Sequence, residues 1–265
     1  MVSPSVTNAT RDDPHVELSR VRMAFGDREV FRSVSCRFRR GRISVVLGGS
    51  GSGKSTVLRL IGGLVRPQAG SIRVDGDDIL QRSERQMYPI RKKLGMMFQD
   101  GALLDSMTVF ENLAFPLREH TGGSKAEIAA AVRASLDAVG LSRVDHLLPG
   151  QLSGGMVKRV ALARAIIMRP IILLCDEPFS GLDPISVKLI EGLLVRVNRQ
   201  LHATMIIVSH HIASTMRMAD NVILLLPDGT IDGTAEELRR STDPRVVAFL
   251  NEGADVPAPA ADARW

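Results

Sequence analysis

Apolar and polar positions change their rhythm three times along this chain. From residue 16 to 47 they form short β-rich segments with turn signals at Gly26-Asp27 and Gly41, leading into the apolar run Ile43-Ser44-Val45-Val46-Leu47. That run ends in glycines. From Lys54 to Leu64 the apolar residues Val57, Leu58, Leu60 and Ile61 recur at helical spacing, and the predicted helix stops near Gly62-Gly63. Ser71 to Val74 reads as a strand, Gln86 to Lys93 as a short helix, and Leu94 to Phe98 as another strand.

Between about Gly101 and Pro170 the pattern predicts helices only, among them Lys125 to Val139 and Gly154 to Met168, the last halting ahead of Pro170. This stretch reads as an inserted helical subdomain. Alternation then resumes with a strand at Ile171 to Cys175, a helix from Pro184 to about Gln200, a strand at Met205 to Val208, a helix to about Met218, and a strand at Val222 to Leu226. Such alternation predicts an α/β fold with a mainly parallel sheet. The folded domain is expected over residues 16–250, with a flexible start at 1–15 and a disordered tail at 251–265, where GADVPAPAADARW has little to bury.

Composition narrows the classes. At 265 residues and 45% hydrophobic the chain is too apolar for a disordered protein. Its two cysteines, Cys36 and Cys175, are too few for a disulfide framework, and the start MVSPSVTNATRDDPHVE lacks the apolar stretch of a secretory signal, so a reducing cytosol is expected. No apolar run approaches the roughly 18 residues of a membrane span. The longest candidate, AIIMRPIILLC, is broken by Arg169 and Pro170, so a membrane role requires another chain. The formal charge of +5 raises the question of nucleic acid, with RFRRGR as the densest basic cluster. Arg37 and Arg39 alternate with Ser35, Cys36 and Phe38 as on a solvated strand face, and one Trp and one Tyr leave little to stack bases. Nucleic acid is not expected as a partner.

Gly48-Gly49-Ser50-Gly51-Ser52-Gly53-Lys54-Ser55 fits G-x-x-x-x-G-K-[ST] and sits between an apolar strand and a periodic helix, where a flexible linker would not. Glycines let backbone N–H groups turn around phosphates, the helix start adds its positive end, and Lys54 places a charge on the β and γ oxygens. Ser55 offers a hydroxyl to Mg²⁺, and Thr56 completes the nucleotide-binding set.

Ile171-Ile172-Leu173-Leu174-Cys175 runs straight into Asp176-Glu177-Pro178. Unpaired carboxylates at a core edge are costly, which favours a nearby ion or reacting group over a helix cap or turn. Asp176 would hold Mg²⁺ through water, and Glu177 would orient and deprotonate the water that attacks the γ-phosphate. Gly48, Asp176 and His210 each follow an apolar run, so a parallel sheet brings all three to its carboxyl edge.

Leu152-Ser153-Gly154-Gly155-Met156 precedes a helix with Met156, Val160, Ala163 and Ile167 on one face. With the phosphate loop upstream and Asp176-Glu177-Pro178 downstream, it resembles the LSGGQ signature of ABC-type ATPases. The resemblance covers about residues 16–250. It implies a P-loop NTPase with a RecA-like core of mainly parallel sheet, an N-terminal antiparallel β-subdomain and the helical insert at about 101–170. It also implies ATP and Mg²⁺ as ligands, Phe25 as the adenine-stacking aromatic, Gln99 as the sensor of Mg²⁺ and the attacking water, Asp183 in the D-loop, and His210 as the γ-phosphate switch. Ordinary core for Phe25 and an ordinary polar loop for Gln99 are the alternatives. In this family Ser153, Gly154 and Gly155 cap the ATP of the opposite subunit, which implies a head-to-tail homodimer.

The stretch FQDGALLDSMTVFENLAFPLREHT, the LSGGM variant, DEPFSGLDPIS and DPRVVAFL together resemble ATPases of Mla-type phospholipid transporters. That resemblance implies an integral membrane permease (MlaE-like), an MCE-domain protein, a small STAS-domain subunit, and a place on the cytoplasmic face of the bacterial inner membrane. It implies too that Leu103, Leu104, Met107 and Val109 line the groove for the permease's coupling helix; plain core is the alternative. Another ABC importer or exporter and a soluble non-transport ABC ATPase are the rival readings. Met156 stands where glutamine is usual, and His211 where many relatives have an acid.

Overall fold

Val45, Leu173 and Ile207 face one hydrophobic core while their strand neighbours Val46, Leu174 and Ile206 face another. Side chains alternate across a strand, so a strand covered on both faces must be apolar throughout, which is why these runs carry no polar spacing. The computed structural model describes residues 14–226 and 229–252. The expected flexible ends at 1–13 and 253–265 lie outside the described residues. At the inner margins the boundaries differ from expectation: the first strand already includes Pro14 and buried His15, and the last helix runs to Glu252.

In chain order the elements are β1 (Pro14–Phe25), β2 (Arg28–Arg39), β3 (Ile43–Leu47), α1 (Lys54–Ile61), β4 (Ala69–Val74), β5 (Asp77–Asp78), α2 (Glu84–Arg91), β6 (Leu94–Met97), α3 (Val109–His120), α4 (Lys125–Ala138), α5 (Gly154–Ile166), β7 (Ile172–Asp176), α6 (Pro184–Leu201), β8 (Thr204–Ser209), α7 (Ile212–Met218), β9 (Asn221–Leu226), β10 (Gly229–Gly233), α8 (Ala235–Arg239) and α9 (Pro244–Glu252). The larger sheet has the order β10-β9-β3-β8-β7-β6 and is parallel from β9 to β6, with β10 antiparallel at the edge. The smaller sheet, β2-β1-β4-β5, is antiparallel. It packs with α1 and α2 over one face of the parallel sheet, and α3 to α7 cover the other. No helix among the described residues is long and apolar enough to cross a membrane.

The helical insert is fixed locally by capping boxes. Thr108 with Glu111 starts α3, and Ser124 with Glu127 starts α4, each hydroxyl and carboxylate satisfying the other's backbone N–H. On β2, Arg37 and Arg39 are exposed and Cys36 and Phe38 buried, as their alternation predicts.

A buried polar cluster ties the two sheets at the amino edge of the parallel one. His15 Nδ1 donates to the Thr204 hydroxyl at 2.6 Å, and its Nε2 accepts from Arg40 at 2.9 Å, an assignment that fits a neutral ring. Asp75 accepts from Arg40 at 2.9 Å and from Lys93 at 2.7 Å. Burial, seconded by the Arg40 charge, lowers the His15 pKa from 6.5 to about 4.

Candidate active site

The parallel registry sets β3, β7 and β8 level. Leu47 pairs with Ser209 and Asp176 with Val208, so the chain leaves all three strands at one edge. There a cleft of about 620 Å³ opens, lined by Phe25, Arg28, Val30, Ser50, Gly51, Gly53, Lys54, Ser55, Thr56, Gln99, Glu177 and His210. Concave sites at this edge are the usual ligand position of open α/β sheets.

The phosphate-loop conformation depends on glycine. Gly53 caps α1 at φ 94 with no side-chain cap, and a Cβ there would stand 2.6 Å from the Phe31 ring and the Val30 methyl. The first-turn N–H groups of α1 are thus left for an incoming anion. Gly48 and Gly49 stand behind the loop, where their carbonyls accept from Lys54 Nζ at 2.9 Å each. Ser52 is also set back, and its buried hydroxyl finds no hydrogen-bond partner among the described residues.

Two carboxylates follow at the end of β7, Glu177 lining the cleft and Asp176 set behind Ser55. Asp176, the last residue of β7, accepts from the Ser55 hydroxyl at 2.8 Å. Burial raises its carboxyl above the usual range, opposed by that hydroxyl. Glu177 follows in the left-handed conformation at φ 44, with its backbone N–H on Val208 O at 3.0 Å. Its carboxylate lies 3.8 Å from Lys54 Nζ and 2.9 Å from His210 Nδ1. Burial pulls the Lys54 ammonium below the ordinary lysine range, and Glu177 and Asp176 pull it back up. Phe25 is 46% exposed at the cleft rim rather than in the core, and Gln99 follows β6 with its side chain exposed to the cleft.

Ser153, Gly154, Gly155 and Asp183 do not line this cleft. Ser153 caps α5, accepting from Met156 N–H at 3.3 Å, and Asp183 caps α6, accepting from Ile185 and Ser186 N–H. These two caps adjoin: a Cβ on Gly155 would stand 3.3 Å from the Ser186 hydroxyl, which donates to Asp183 at 2.5 Å. The predicted residues therefore divide into a cleft set and a separate patch.

Residues 31–180 match the ABC transporter family. The chain belongs to that family. It is 42% identical over 243 residues to MlaF, the intermembrane phospholipid transport system ATP-binding protein of Haemophilus influenzae, covering 91% of this chain and 92% of that one. It is also 42% identical over 237 residues to mkl of Mycobacterium leprae, a probable ribonucleotide transport ATP-binding protein, covering 89% and 68%. Among solved structures it is similar to the dimeric post-hydrolysis state of the ATP-binding cassette MJ0796 bound to ADP and Pi, with a TM-score of 0.76 and 30% identity over 83% of this chain and 98% of that one. The α/β fold read from the sequence is that of an ABC ATPase.

Several residues at this ABC ATPase site carry no motif in the sequence. Arg28 and Val30 reach the cleft because β2 folds back beside the loop, a tertiary placement with no motif behind it. Lys158 of α5 is buried behind Glu177 and donates to backbone oxygens there, and its place in the signature helix was the only signal. One expected groove residue is corrected: Val109 is fully buried as the first residue of α3, whereas Leu104 is 42% exposed and Leu103 is half-buried.

Proposed function

We propose that this ABC ATPase drives phospholipid movement between the inner and outer membranes of a double-membraned bacterium. The observation that carries the reading is the 42% identity to MlaF across 92% of that protein. It would work as a homodimer on the cytoplasmic face of the inner membrane, coupled to an MlaE-like permease, an MCE-domain protein and a small STAS-domain subunit. Leu103, Leu104 and Met107 would receive the permease. The equal identity to mkl supports a second cargo reading, ribonucleotide, over a smaller share of that relative.

Within the cleft, Phe25 would stack on adenine, while the Ser50 to Thr56 backbone N–H groups and Lys54 hold the phosphates. Ser55, Gln99 and Asp176 supply hard oxygen donors that fit Mg²⁺, and phosphate and water oxygens would fill the rest of its shell. When bound, the ion would neutralise charge on the β and γ oxygens. Glu177 would take the proton of the attacking water, and His210 would steady that carboxylate and face the γ-phosphate. Ser153, Gly154, Gly155 and Asp183, outside their own cleft, would close over the ATP of the partner subunit.

Purification with the membrane partners, followed by mass spectrometry of bound molecules, tests the cargo. Phospholipid in a complex that hydrolyses ATP is expected. Its absence, with ATPase activity that responds to ribonucleotide, overturns the lipid reading.

A further inference from the structure

Lys158 lies on α5, one turn beyond Gly154-Gly155, and is 6% exposed. No carboxylate among the described residues stands within ion-pair distance of it. Its ammonium donates instead to three oxygens on two loops: the Gln99 carbonyl after β6, and the Glu177 carbonyl at 3.2 Å and the Ser180 hydroxyl at 2.9 Å after β7. An ammonium has three donors, and all three are used. Ser180 adds its own hydroxyl and N–H to the same Glu177 carbonyl, at 2.9 and 3.2 Å.

That carbonyl belongs to a residue at φ 44, a conformation that a side-chain-bearing residue keeps only where its surroundings dictate it. Burying an ammonium is also costly, and an apolar side chain would fill the same space without that cost. We propose that Lys158 is a positioning residue for hydrolysis. It fixes the backbone of Glu177 so that the carboxylate enters the cleft, ties Gln99 to the same point, and makes the helix bearing Ser153 move with both. This rests on the reading of Glu177 as the base.

The test measures kcat, the ATP KM and nucleotide-induced thermal stabilisation in full-length Lys158→Met, Lys158→Arg and Glu177→Gln. Misplacing a reacting group by about 1 Å costs on the order of 10²-fold, so Lys158→Met should lose about that in kcat. Its KM should stay within about threefold, and Lys158→Arg should recover most of the turnover. If Lys158→Met fails to fold, Lys158→Gln, which keeps two donors, reads the same split between kcat and KM. Parental kcat in the Met or Gln variant while Glu177→Gln is inactive overturns the role of Lys158 alone, as does a change confined to KM. Parental turnover in Glu177→Gln overturns the base instead.

Discussion

His210 Nδ1 lies 2.9 Å from a carboxylate oxygen of Glu177, and the His210 backbone N–H approaches the same oxygen at 3.4 Å. One oxygen is thereby engaged by the residue that follows β8, which leaves the other beside Lys54 at the cleft. Glu177→Gln keeps the volume and one acceptor but removes the base. The expected outcome is ATP binding retained, with phosphate release lower by on the order of 10²- to 10⁴-fold. Parent-like phosphate release would mean that another group takes the proton.

The edge on which these residues meet was legible because each buried strand announces its end. The apolar runs before Gly48, Asp176 and His210 stop where the polar residues begin, and parallel pairing sets those stops level. The cluster at the other edge was not legible. His15 and Thr204 are 189 positions apart, and nothing local to either marks the contact. Lys158 and Gln99 are similarly joined only by packing. Val109 shows the opposite failure: it was grouped with exposed neighbours by resemblance, while the Thr108–Glu111 capping box turned it into the core.

Ser153 is exposed, and among the described residues its hydroxyl is bonded only to its own helix start, so its replacement should spare the cleft of its own chain. Losing the cap costs about 1 kcal/mol, which a domain of this size tolerates. Ser153→Arg should therefore bind ATP like the parent as a monomer yet fail to form an ATP-dependent dimer in the Glu177→Gln background. Size-exclusion chromatography with and without ATP reads the result. An ATP-dependent dimer of parental strength would count against a shared site.

His211 has a role that its departure from an acidic residue did not reveal. Its Nδ1 accepts the Ser214 N–H at 3.2 Å, capping α7, and its ring packs 5.7 Å from that of Phe179. Aspartate offers the same cap with a shorter acceptor. His211→Asp should remain within about 0.5 kcal/mol of the parent, whereas His211→Ala should lose about 1 kcal/mol in denaturant unfolding. Equal loss in both would show that the ring contact with Phe179, not the cap, carries the stabilisation.

The His15 cluster makes stability depend on pH in a stated direction. Burial and Arg40 hold the ring neutral, with its pKa lowered from 6.5 to about 4, so between those values the unfolded chain binds more protons than the folded one. The contribution is therefore complete above pH 6.5 and is lost as pH falls toward 4, for a total of about 3 kcal/mol. Asp75 reinforces the slope only at the low end of this window, where the unfolded carboxyl begins to take up protons. Although burial raises its carboxyl, hydrogen bonds from Lys93 and Arg40 win and hold it below the ordinary value, so it stays ionised. Urea unfolding at pH 7, 5.5 and 4.5 should show a steeper decline in the parent than in His15→Gln, which cannot titrate there. Parallel declines in the two proteins would place the acid sensitivity elsewhere.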